Sequence, residues 1–529
     1  MNISEQTKEL IKRHQSWQET LQKQGRGNTI DVDEVAAKVA AFYEKIRGVV
    51  DWREEHLLRK TAIERILKRR LLLQKNGQKI AEPFLQELVR GGHFPNNSIP
   101  TTSIVLIQKI IDKYVYIIEQ APEDIPKEFK LSNARELDDW ILAVAASEIE
   151  EALSPPHKEL ALIAFTAKHM EEQIDVKLSD TDKDNQIYVA VQKALFKLDE
   201  TTITQHLFLE LYPDWSNLQQ EKLSHIAQNI HKIRKTIDDI FNHPLAERIY
   251  QHVEKYDTPY LILGDIISKE PYSFTELVQS PPILEESVRQ AYNVRLVKLK
   301  KKLKRAAIYS TLSIFLTKIL IAVVIEVPFD RYFLQHPTYY PLLLSVGIPS
   351  LLMLFLVLGT KLSSKENFQK VLMEVMKIVY EKERKDSFQI SVPKRRMGVL
   401  VAFVYGSYLL SFLVSFGLII FGLSKLNFTI PSTIIFLLFI SLVAFAGTVI
   451  RQRSKELLII EQKEGILYGL FDIFFLPIVQ AGKCLSRNLV RYNVITMIFN
   501  VFLEIPFQIF VEFIEQWRTF LKEKKEEIH

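Results

Sequence analysis

Four apolar stretches, each about as long as a bilayer is thick, fill most of the chain between residues 306 and 450 and leave it few ways to fold. A helix needs about 20 mostly apolar residues to cross the hydrocarbon core. Ala306 to Val327 carries two charges, Lys318 and Glu326, and Pro341 to Thr360 carries none. Met397 to Ser424 and Leu426 to Ile450 are uncharged throughout, and the short link Ser424-Lys425-Leu426-Asn427 makes them a tight helical hairpin. Before residue 306 the chain is polar and charged. The mean hydropathy of +0.03 is therefore an average over two unlike parts.

Loop charge sets the expected orientation, because Lys and Arg in short loops stay on the cytoplasmic side. Arg295, Lys298, Lys300, Lys301, Lys302, Lys304 and Arg305 precede the first span. The loop 361–396 is rich in Lys and Arg, and Arg451, Arg453 and Lys455 follow the fourth span. The opposite connections hold only Arg331 and Lys425. Both chain ends are thus expected on the cytoplasmic side. The polar start MNISEQTKELIKRHQ predicts no cleavable signal peptide.

The C-terminal region 451–529 is amphipathic. Gly465 to Gly482 is apolar but interrupted by Asp472 and Pro477. In Tyr492 to Leu521, polar residues including Asn493, Asn500, Glu504, Gln508 and Glu512 recur every three or four positions. At helical spacing they occupy an arc of about 160°. Two placements compete. A spanning hairpin would put Lys483, Arg487 and Arg491 outside, against the charge bias. Interfacial or re-entrant helices keep those charges inside, although their polar stripe is acidic where lipid-facing helices usually carry Lys and Arg. The charge bias favours the interfacial or re-entrant placement.

Residues 1–305 read as helix almost throughout, with apolar positions three and four apart at Ile104, Ile107, Ile111, Tyr114 and Ile118. Asn133 with Glu136 and Ser216 with Gln219 have the form of capping boxes. Breaks fall near 91–101, at 120–131, at Pro155-Pro156 and at Pro281-Pro282. The last helix, from about Ile283, runs without a breaker into the first span. The expected fold is therefore all-α: a polytopic membrane protein with four transmembrane helices (306–450), amphipathic C-terminal helices and a large N-terminal helical cytoplasmic domain (1–305).

Three groups of residues are candidates for chemistry. Asp180, Asp182 and Asp184 resemble the first ligands of an EF-hand calcium loop, with Ile187 at the apolar eighth position. Asn185 replaces the usual Gly, and Val191 stands where the closing Glu belongs, so only weak Ca²⁺ binding is expected, against the alternative of a solvated turn that caps a helix. Lys318 sits near the middle of the first span, with Glu326, Asp472 and Glu504 as candidate partners; an intramembrane charge pairs with protein groups or marks an ion path. Glu326 lies about 12 Å further along the same helix. The C-terminal stripe adds Asn500 and Glu512 to these polar groups.

No metalloprotease, nucleophile-elbow, Walker-type or dinucleotide glycine pattern occurs, and an enzyme is the least supported class. The single cysteine, Cys484, excludes an internal disulfide framework. A net charge of +5 gives no argument for nucleic acid. No cofactor beyond the weak Ca²⁺ candidate is expected. The basic run before the first span suits anionic membrane lipids.

Two functions fit this reading. One is a non-enzymatic membrane protein whose cytoplasmic domain is an interaction or scaffolding module for a protein partner or for a homo-oligomer. The other is an ion or proton channel or transporter with a polar path through Lys318, Glu326, Asp472 and Glu504. The compact, cysteine-poor chain points to a prokaryotic inner membrane.

Overall fold

The structure is a computed structural model that describes residues 3–23, 28–32, 55–73, 77–122, 134–269, 273–333, 339–358, 365–380, 387–391, 398–455, 457 and 466–491, with Phe510, Phe513, Trp517 and Phe520. It is mostly helical and divides into two compact units. One holds Ile3–Asp257 and takes in Glu383–Val392; the other holds Thr258–Lys382 and Pro393–Ile498.

The first unit contains α1 (Glu5–Lys23), α2 (Glu55–Leu73), α3 (Ala81–Arg90), α4 (Ser103–Gln120), α5 (Ala134–Leu153), α6 (His157–Gln173), β1 (Ile174–Val176), α7 (Asp180–Phe196), α8 (Glu200–Leu211), α9 (Gln220–Gln228), α10 (Ile230–Phe241) and α11 (Ala246–Lys255). Local chemistry sets many of the boundaries. Ser179 and Asp199 cap α7 and α8 through the backbone N–H groups of Asp182 and Thr202. Lys197, in the left-handed region at φ 52°, ends α7. Ser216 does not cap a helix as its spacing predicts: it lies in the 3₁₀ turn Trp215–Asn217, and α9 starts only at Gln220. The turn is drawn inward by Trp215, which is fully buried and stacks on Phe208 with ring centroids 4.6 Å apart. Asn133 lies outside the described residues, immediately before α5.

The core of this unit joins Ile63, Ile66 and Leu67 of α2 to Phe84 and Leu88 of α3, Ile107 and Ile111 of α4, and Ala145 and Ile149 of α5. These positions recur at three and four residues, so each helix buries one stripe. Strand β1 has no partner among its sequence neighbours. It pairs in parallel with β2 (Phe388–Ile390), which comes from the segment joining the second and third apolar stretches. Phe388 lies 4.4 Å from the His252 ring, and Arg248 donates to the Ser391 carbonyl at 2.6 Å.

The second unit contains α12 (Asp257–Lys269, whose first residue belongs to the other unit), α13 (Phe274–Gln279), α14 (Pro281–Ile321), α15 (Val327–Phe333), α16 (Tyr339–Leu358), α17 (Lys365–Val379), α18 (Gly398–Lys425), α19 (Ile430–Ser454) and α20 (Ile466–Arg491). The division at Asp257 means that residues 258–305, read from the sequence with the soluble domain, group with the apolar helices. The physical link is α14, a continuous helix of 41 residues with no breaker after Pro281-Pro282. Its polar half is held by α12 and α17: Arg295 forms a two-point ion pair with Asp265, and Asn367 donates to the Tyr292 hydroxyl at 3.1 Å.

Among the described residues, three helices are long and apolar enough to cross a membrane: the stretch Pro281–Phe329, Ala402–Lys425 and Ile430–Ser454. The apolar part of α16, Tyr340–Leu356, is shorter, as is Phe474–Ser486 within α20. Small residues bring α19 and α20 together. A Cβ at Gly482 would collide with the Ser441 carbonyl oxygen, and one at Gly447 would meet Leu356 of α16. Ser415 of α18 donates to the Phe474 carbonyl at 2.6 Å. Thus the contacts of α20 with α18 and α19 include the middle of each.

Candidate functional site

Among the described residues of the second unit, Lys318 and Glu326 form the most enclosed ion pair. Both side chains are fully buried, and the Lys318 ammonium lies 2.5 Å from Glu326 Oε1. Regular α-helix would separate two side chains eight residues apart by about 80° around the axis. Here α14 passes into a π-helical turn, Ala322–Glu326, before α15 begins. At roughly 4.4 residues per turn, that wider turn brings the two side chains to within about 20° of one line. The neighbouring helices complete the enclosure. Ser345 of α16 donates to Glu326 Oε2 at 3.3 Å, and the Lys318 ammonium sits 5.2 Å from the ring centre of Phe439 on α19.

Of the partners expected for Lys318, Glu326 is the one whose side chain lies among the described residues, and it meets the ammonium. Asp472 lies on α20, with its side chain outside the described residues, as are Asn500, Glu504 and Glu512. Chemically, the group is an ion pair: the two charges meet each other, one hydroxyl donates to the carboxylate and one aromatic face covers the ammonium.

The segment Asp180–Ile187 is not a loop. It forms the first two turns of α7, and the Ser179 hydroxyl donates to Asp182 Oδ2 at 2.6 Å. On a helix, Asp180 and Asp184 share a face while Asp182 points about 200° away from Asp180. The three carboxylates do not converge as a calcium loop requires. Among the described residues, no group of three or more His, Cys, Asp or Glu side chains is placed to hold a metal.

Sequence reasoning missed a second polar group, in the first unit. The last two turns of α5 carry Ser147, Glu148, Glu150 and Glu151, and three of these clamp different neighbours. Glu148 accepts from the Lys113 ammonium at 2.7 and 2.9 Å, from the Tyr114 hydroxyl at 2.7 Å and from Trp215 Nε1 at 2.8 Å. Glu150 accepts from Arg59 of α2 at 2.8 Å. Glu151 lies 2.6 Å from Nε2 of His206 on α8, whose Nδ1 faces Gln192 of α7. Burial, then the charge of Glu148, pushes the Tyr114 phenol well above its ordinary pKa, so it remains a donor. The Lys113 ammonium also covers the Trp215 ring at 4.5 Å. An acidic run in a helix reads from sequence as a solvated face. The nearest signal, Trp215 in a polar segment, does not reveal its partner. These acids are occupied by structural partners.

Comparison with known proteins finds no matching family model, no similar curated protein and no similar solved structure.

Proposed function

We propose that the chain is a non-enzymatic integral membrane protein whose helical unit is an interaction module, held on the cytoplasmic face by four crossings. The observation that carries this over a transport role is the closed Lys318–Glu326 pair. An ion path needs charged groups that meet water or exchange partners. Here the charges neutralise one another, with both side chains buried.

Two further observations support the membrane arrangement. Large side chains of α18, including Phe403 (75% exposed), Tyr405 (71%) and Phe421 (63%), lie uncovered by protein, as lipid-facing residues do. The pairing of β1 with β2 joins the connection between the second and third apolar stretches to the N-terminal helices, which suits an arrangement with both on one side of the membrane. In that arrangement α14 and α16 both span, and α18 and α19 form the returning hairpin. The mid-length packing of α20 on that hairpin favours a re-entrant element over one lying flat at the headgroups. The basic segments then face anionic lipid on the inner leaflet.

A second reading, an ion or proton channel or transporter, draws on the π-turn, because such turns are frequent at functional sites. One experiment separates the two. Amine-reactive crosslinking in membranes is expected to give a discrete homo-oligomer or adduct, while proteoliposomes holding correctly inserted protein pass protons and common ions no faster than empty vesicles. Protein-dependent flux with no crosslinked species would reverse the choice.

A further inference from the structure

Helix α1 is held in the first unit by one buried stripe. Thr7, Leu10, Ile11 and His14 stand three and four positions apart, and none is more than 5% exposed. The helix packs against α6, which runs antiparallel to it. Gln6 donates to Glu172 at 2.6 Å, Glu9 lies 3.9 Å from the Lys168 ammonium, and the Trp17 ring tilts against His157 with centroids 6.2 Å apart. Of the four residues in the stripe, His14 alone can change its charge near neutral pH.

His14 is 2% exposed, and neither of its ring nitrogens has a hydrogen-bond partner. A neutral ring tolerates such a site at modest cost, but an imidazolium without an acceptor does not. The charged groups around it give no relief. Lys158 and His157 at the start of α6, and Arg13 on α1, line the recess beside it, and the Lys158 ammonium sits 4.9 Å from the ring centre of Trp17. The carboxylates of the interface are engaged: Glu9 accepts from Arg13 at 2.6 Å and faces Lys168, and Glu172 accepts from Gln6. His169, further along α6, packs on Phe165 with centroids 4.8 Å apart.

We infer that α1 is a pH-sensitive latch, docked on α6 while His14 is neutral and released when His14 takes up a proton. Burial, then the charge of Lys158, holds the docked ring below the ordinary histidine value of 6.5. Once α1 is free, the ring returns to that ordinary value. Below pH 6.5 the released state therefore binds more protons than the docked one, and docking weakens as pH falls. Above pH 6.5 both states are neutral and the full docking energy is present. Release uncovers Leu10 and Ile11, so acidification presents an apolar stripe that is hidden at neutral pH.

The test is thiol accessibility in the full chain, in detergent and in a Cys484→Ser background. Ile11→Cys places a thiol under the docked stripe. Its labelling rate at pH 7.5 and at pH 5.5 is divided by that of Lys12→Cys, on the exposed face of α1, which removes the pH dependence of the reagent. The ratio is expected to rise about tenfold on acidification, the factor set by one pH unit below the free histidine value. Helix content by circular dichroism stays unchanged, and His157→Gln keeps the rise. His14→Leu and His14→Gln cannot take the proton, and each is expected to hold the ratio within about twofold. An unchanged ratio in the parent, a rise that comes only with general loss of helix, an equal rise in both His14 variants, or its disappearance in His157→Gln would overturn the inference.

Discussion

Lys318→Ala is expected to destabilise the apolar unit by about 3–5 kcal/mol, the general cost of removing one partner of a buried ion pair. The cost arises at Glu326, which keeps its place at 1% exposure with only the long Ser345 hydrogen bond left. It must then hold an unpaired charge or take up a proton, and either state is worse than the pair. Lys318→Met combined with Glu326→Gln removes both charges at similar volume and should recover most of the loss, because a buried pair itself contributes little net stability. Thermal unfolding of the detergent-solubilised protein measures both effects. Under the interaction reading the single variant changes stability and leaves ion flux at the level of empty vesicles. A variant as stable as the parent but altered in flux would mean that Lys318 serves a pathway.

The second large effect is expected at Glu148 in the helical unit. Glu148→Ala leaves the Lys113 ammonium with only the Trp215 carbonyl, at 3.3 Å, and strands the Tyr114 hydroxyl and Trp215 Nε1. One buried charge and two neutral donors lose their acceptor together. Each unsatisfied neutral group costs about 1–3 kcal/mol and a charged one more, so a loss of at least about 4 kcal/mol is expected. Glu148→Gln keeps one acceptor oxygen and the shape, and should cost about half as much. Urea unfolding followed by far-ultraviolet circular dichroism reads the difference. A loss below about 1 kcal/mol for the alanine variant would show that the carboxylate does not hold α4, α5 and the Trp215 turn together.

These two groups differ in how far the sequence revealed them. Lys318 stands out because a charge in an apolar run is visible without a structure, and Glu326 was already among its candidate partners. The π-turn that aligns them was not visible, since nothing in the spacing of Ala322–Glu326 marks a wider turn in advance. Glu148 was hidden for the opposite reason. Its neighbours Glu150 and Glu151 make an acidic run, and Lys113 and Trp215 are far away in the chain.

The helical class, the unbroken α14 and the break at Pro155-Pro156 were legible because proline and apolar periodicity act locally. The β1–β2 pair was not. Strands of three residues carry too little alternation to register, and their partners lie more than two hundred residues apart. The calcium candidate shows the converse: Asp180, Asp182 and Asp184 have the spacing of a loop, but they open a helix that Ser179 caps through the Asp182 N–H.

Impermeant maleimide labelling tests the four-crossing arrangement most directly. In a Cys484→Ser background, a cysteine in place of Ser424, exposed at the tip of the α18–α19 hairpin, is compared with one in place of Gln389, exposed in β2. The arrangement predicts that Ser424→Cys reacts in intact cells and Gln389→Cys only after permeabilisation. Labelling of both positions from the same side would contradict it.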